Sequence, residues 1–158
     1  PKPVRLSHEP ATPIDQDMEG RNADRLRILI VDDHEINRRA VQLILTPLDC
    51  AIMMAADGES ALELCAAHGF DIIFMDVRMP RLDGRETTRR LRAGGGPNAA
   101  TAVIAVTADA SPDDIEACLE AGMTDFVAKP LTPAALLGTL GRLLSDEGED
   151  AQRRTASA

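Results

Sequence analysis

The chain has no tryptophan, no tyrosine and only three phenylalanines among its 158 residues, so intrinsic fluorescence offers no probe of it. Cysteine is scarce too: Cys50, Cys65 and Cys118 are odd in number and widely spaced. They fit neither a disulfide framework nor a zinc site, and they suit a reducing cytoplasm. No stretch reaches the roughly 18 apolar residues that a membrane helix needs, which excludes a spanning segment. Basic residues are outnumbered, 17 against 26 acidic, for a net charge of −9. A generic nucleic-acid binder, which neutralises phosphates with Lys and Arg, is therefore excluded. Neither an initiator methionine nor a signal peptide leads the chain, which reads as a piece of a longer protein.

Hydrophobic residues make up 44% of the sequence, enough for a real core. Residues 1–25 are polar and rich in proline and read as a flexible linker. Residues 146–158 read as a disordered acidic tail. Between them, over 26–145, short apolar runs alternate with amphipathic stretches. The runs are Leu26–Val31, Cys50–Ala56, Phe70–Met75, Ala102–Val106 and Asp125–Ala128, short and bulky as strands buried on both faces should be. Helices are predicted over 35–46, with Ile36, Ala40, Leu43 and Ile44 as the apolar face, and over 58–67 behind a capping Asp57. A third covers 84–93, stopped by the glycines at 94–96; a fourth opens at Ser111-Pro112; a fifth follows Thr132-Pro133. Strict βα alternation implies an α/β domain with an open, doubly wound parallel sheet and right-handed crossovers.

Ligands of such sheets bind outside the carboxyl ends of the strands. The residues there are Asp32 and Asp33 after the first run, Asp76 after the third, Thr107 after the fourth, and Lys129-Pro130 after the fifth. With strand order 2-1-3-4-5 all of them meet on one rim. Crowded carboxylates repel unless a cation neutralises them. An oxygen-only open site suits Mg²⁺ better than Ca²⁺. A carboxylate beside that ion can attack phosphorus, while a lysine ammonium and a threonine hydroxyl meet the phosphoryl oxygens. Only two of the basic residues are lysine, Lys2 and Lys129, which makes the one after the fifth strand conspicuous.

The motifs ILIVDD, FMDVRMPRLDG, VIAVTADA and DFVAKPL resemble those of receiver domains of two-component response regulators, in order and in spacing, over residues 26–145. The resemblance implies the flavodoxin-like receiver fold with Asp76 as phosphoacceptor. Asp32 and Asp33 become the acidic pair that holds Mg²⁺. Asp33, Asp76 and the backbone carbonyl of Arg78 become its direct ligands. Lys129 becomes the partner of the phosphoryl group, Thr107 and Phe126 the switch residues, and the Lys129–Pro130 bond cis. Arg78 and Asp109 flank the water path to the acyl phosphate, and an ion pair between them would slow phosphate loss.

The stretch DDHEINRR and the leucine-rich last helix are similar to receivers fused to hybrid histidine kinases. On that reading this segment is the C-terminal receiver of a hybrid sensor kinase and lies in the cytoplasm, with no membrane contact of its own. The donor is phosphohistidine, on the kinase dimerisation domain or on a histidine phosphotransfer protein, and no nucleic acid is bound. The output surface is the fourth helix, fifth strand and fifth helix. A stand-alone response regulator and a non-phosphorylated interaction module are the alternatives. An aspartyl-phosphate phosphohydrolase is disfavoured, since it wants a second acid where Arg78 stands. Arg85, Arg89 and Arg92 share one helical face, read as solvated, with an anionic-ligand site as the sharper option.

Overall fold

The computed structural model describes residues 25–157, with side chains through Ser145. Five strands alternate with five helices: β1 Leu26–Val31, α1 Glu35–Leu45, β2 Cys50–Ala55, α2 Gly58–Ala67, β3 Ile72–Asp76, α3 Gly84–Gly94, β4 Ala102–Thr107, α4 Pro112–Glu120, β5 Asp125–Ala128 and α5 Pro133–Ser157. All pairings are parallel and the order is β2-β1-β3-β4-β5, with Ile28 beside Ile72 and Ile72 beside Ala102. This is the doubly wound parallel sheet that the alternation implied, in the 2-1-3-4-5 order expected.

Side chains alternate across a strand, so each strand feeds two cores. Leu29, Val31, Ile73, Met75, Val103 and Ala105 pack beneath α2, α3 and α4, with Cys65, Leu91 and Cys118 from those helices. Ile28, Ile30, Phe74, Ile104 and Val127 pack beneath α1 and α5, against Val41, Leu45, Leu136 and Leu140. Local signals set the ends. Asp57, Asp83 and Ser111 accept from the amides of Ser60, Glu86 and Asp114 and so cap α2, α3 and α4. Gly95, at φ +70°, takes the left-handed turn that closes α3.

Four expectations need correction, and one lies outside the described residues. First, α1 buries Val41 and Leu45, while Ile36 and Leu43 stand 80% and 72% exposed. Ile44 packs against the core and Ala40 is half-buried, so the expected face was right at these two positions and wrong at Ile36 and Leu43. Second, β3 begins at Ile72 because the Phe70 amide donates to the side chain of Asn98. Third, residues 146–157 continue α5 as helix, where a tail was expected. The segment has no proline, and its Glu, Ala, Gln and Arg are good helix formers. The linker at 1–25 lies outside the described residues, Arg25 excepted.

The fourth concerns the arginine face. Arg92 donates to the carbonyls of Gly122, Ala99 and Thr101 at 2.7–3.1 Å, tying α3 to the turns before β4 and β5. Arg85 pairs with Asp114 of α4 at 2.9 Å. Of these three arginines, Arg89 makes the exposed pair, with Glu86. Charge-assisted bonds of this kind contribute about 2 kcal/mol. Arg92→Ala should therefore lower the unfolding free energy by about that amount. Urea denaturation followed by circular dichroism reads it, and an unchanged midpoint would refute the role.

Candidate functional site

Because β1, β3, β4 and β5 are successive neighbours, the loops that follow them share one edge of the sheet. Asp32 follows β1 as a buried carboxylate. Its Oδ1 accepts from the His34 amide at 2.9 Å and from Asn37 Nδ2 at 3.4 Å, and Arg38 donates to its carbonyl at 2.7 Å. The start of α1 thus grips Asp32. Asp33 is more open. Its Oδ1 atom is buried and takes no hydrogen bond, with His34 Nδ1 3.1 Å away.

Asp76 is the last residue of β3 and is 3% exposed. Lys129 Nζ approaches its Oδ1 at 3.2 Å, and the Arg78 amide approaches the same oxygen at 3.4 Å. The ammonium also lies 3.9 Å from Asp32 Oδ2, so one cation bridges two buried carboxylates. It does not suffice. Burial first, and the charge of Asp32 second, push the Asp76 carboxyl up to about 6 against the pull of Lys129. The pocket lacks positive charge.

Thr107 ends β4 with its hydroxyl turned into its own loop, donating to the Asp109 carbonyl at 2.9 Å and accepting from the Asp109 amide at 3.0 Å. Phe126 is half-buried and packs on the core beneath α2, α3 and α4. The Lys129–Pro130 peptide bond is cis. No close ion pair joins Arg78 to Asp109. The Asp109 carboxylate accepts from the Ser111 amide at 3.1 Å instead, which chiefly holds its carboxyl below the usual range. Arg78 adds a weaker, longer-range pull in the same direction.

The structure adds residues that the motifs did not assign. Gly84 opens α3 directly against β3: a Cβ there would run into the Asp76 carbonyl oxygen and come within 3.0 Å of its carbonyl carbon. The signal was present as a glycine just after a capping aspartate. His34 and Asn37 join the site through contacts with the acidic pair that spacing does not reveal. An oxygen donor set, a buried Asp33 oxygen with no donor on it and a deficit of positive charge fit a hard divalent cation.

An open parallel sheet carrying this acidic pocket and a lysine on its carboxyl edge defines a class, the receivers of two-component signalling. A profile of the response regulator receiver domain matches residues 28–140, and the chain belongs to that family. It is 40% identical over 117 residues to sensor histidine kinase RcsC of Salmonella typhi, across 74% of this chain and 12% of that protein. It is 35% identical over 136 residues to hybrid signal transduction histidine kinase A of Dictyostelium discoideum, across 80% of this chain and 6% of the relative. The chain thus spans a small part of these curated relatives. Among solved structures, the receiver domain of sensor histidine kinase PA1611 from Pseudomonas aeruginosa is 37% identical, with a TM-score of 0.68, over 75% of this chain and 96% of that one. That structure has a magnesium ion coordinated in its active-site cleft. Chemotaxis protein CheY4 of Vibrio cholerae is 31% identical, with a TM-score of 0.71, over 75% of this chain and 98% of its own. Among the described residues, no helix is long and apolar enough to cross a membrane.

Proposed function

We propose that the chain accepts a phosphoryl group from phosphohistidine onto Asp76, as the C-terminal receiver of a cytoplasmic-facing hybrid histidine kinase. The observation that carries this reading is the buried Asp76 carboxylate bridged to Asp32 by Lys129. Lys129 and the Arg78 amide both engage Oδ1, which leaves Oδ2 to form the new bond to phosphorus. The donor's N–P bond breaks, and its electron pair stays on the imidazole. Lys129 then meets a phosphoryl oxygen. Asp33, Asp76 and the Arg78 carbonyl, with Asp32 behind them, would hold Mg²⁺, which supplies charge neutralisation for the transferring group.

Thr107 must leave both of its bonds to Asp109 to reach the phosphoryl group, so the loop between β4 and α4 rearranges with it. Phe126 follows at the neighbouring strand, and the surface of α4, β5 and α5 changes. The phosphoryl group thereby favours one of two loop states. Arg78 and Asp109 set the lifetime of the acyl phosphate by screening it from water rather than by pairing with each other. The donor's histidine must come to the rim, and beside that rim α1 presents Ile36 and Leu43. Seven residues apart, they share one exposed apolar face. That face suits the helices of a phosphohistidine domain. The match to hybrid kinases favours a hybrid parent over a stand-alone regulator.

Acetyl phosphate with Mg²⁺, followed by intact mass, tests the reading. One added phosphoryl group is expected on the wild-type chain and none on Asp76→Asn. No gain, or a gain that survives the substitution, would overturn it.

A further inference from the structure

The residue after the acidic pair adds a nitrogen to a site otherwise made of oxygens. His34 Nδ1 lies 3.1 Å from Asp33 Oδ1 and 3.7 Å from Asp32 Oδ1. One ligand atom from each of Asp32, Asp33 and His34 falls within 4.8 Å of the others. In an octahedron with bonds of about 2.1 Å, adjacent ligands stand about 3.0 Å apart, so the His34–Asp33 spacing matches one edge. The Asp33 oxygen on that edge is the buried one that no hydrogen bond satisfies.

Among the described residues, the ion-pair contacts of the His34 ring are with the two aspartates of the pair. His34 occupies the N-cap position of α1, yet its side chain makes no capping bond, and the ring is 70% exposed. The Asp32 carboxylate takes the capping role through the His34 amide. The imidazole can therefore present Nδ1 to an ion held by the acidic pair.

Resting on the reading of this rim as a divalent-cation site, we propose that His34 is a ligand that widens the site's metal class from Mg²⁺ to borderline transition ions such as Ni²⁺. Imidazole nitrogen contributes little to a magnesium ion, which prefers oxygen, and much to later first-row metals. With His34 engaged, Ni²⁺ gains a protein ligand where Mg²⁺ keeps a water. The occupant of the pocket then depends on which ion is available.

Titration calorimetry with Ni²⁺ alone and with Mg²⁺ alone, on the wild-type chain and on His34→Phe, tests this. Losing one ligand should weaken Ni²⁺ by about tenfold or more, on the scale seen when metal sites lose a supporting residue, while Mg²⁺ affinity changes by less than about twofold, as its preference for oxygen requires. In the wild type, a contact-shifted imidazole proton should appear with Ni²⁺ in the proton magnetic resonance spectrum and vanish in His34→Phe. An unchanged Ni²⁺-to-Mg²⁺ affinity ratio would overturn the inference while leaving the acceptor site intact. If the wild-type chain binds neither ion, the cation site itself falls, and the inference with it.

Discussion

Replacing Asp76 with asparagine should make the metal-free domain melt at a higher temperature at neutral pH, even as it removes the acceptor. The fold holds the Asp76 carboxyl at about 6, above its ordinary 3.8, so the folded state prefers the neutral form. Stability from that preference is fully present below about pH 4 and is lost as pH rises through 6. At pH 7–8 the ionised carboxylate is therefore a burden of up to about 3 kcal/mol, from a shift of roughly two units. Asparagine removes it. The expected gain is on the order of 10 °C at pH 7.5, shrinking toward zero near pH 4. Melting curves by circular dichroism across this range check the sign. A gap that does not narrow with acid would show that desolvation of the charge is not its cause. Added Mg²⁺ should raise the wild-type midpoint and raise the variant's far less, because the cation supplies the charge that Lys129 alone does not.

The second large effect concerns Gly84. With Asp76 backbone on one side and Met75 Cγ at 3.0 Å on the other, a methyl group has no room unless α3 or the end of β3 moves. Gly84→Ala should cost about 3 kcal/mol, the upper range for overpacking against backbone, and should lower phosphoryl acceptance because the part that must move carries the acceptor. Gly94→Ala is the control. Nothing lies within 4 Å of its added carbon, and alanine in that last helical turn should stabilise by about 0.5 kcal/mol. Urea midpoints of the two variants, measured together, separate crowding from helix propensity. Equal shifts would refute the packing argument.

The strands and the rim were legible because their signals are local. A parallel strand buried on both faces is a short apolar run, and the residue that ends it sits at the carboxyl edge wherever the strand falls in the sheet. Asp76, Lys129 and Thr107 followed from that rule alone. What escaped depends on partners far along the chain. Ile36 and Leu43 look like core residues until β1 and α5 show which side of α1 they cover. Asn98 is buried at the end of a glycine-rich insert, where its side chain bonds the carbonyls of Cys65 and His68 and the amide of Phe70. Polar composition marked that stretch as loop and could not mark it as an anchor. Asp109 is a similar case. The family resemblance suggested a partner in Arg78, but an amide two residues on is nearer and costs less entropy to engage.

Of the three phenylalanine rings, Phe74 is 1% exposed and Phe70 is 7% exposed, each locked in the core, while Phe126 is half-buried beside the loop that the proposed switch would move. No other aromatic chromophore absorbs beside them. Near-ultraviolet ellipticity therefore comes from three phenylalanines alone, and the two locked rings supply a constant background to it. On the proposed rearrangement, a change in these vibronic bands on acceptor loading that Phe126→Leu abolishes would report the repositioning of Phe126, with no label introduced.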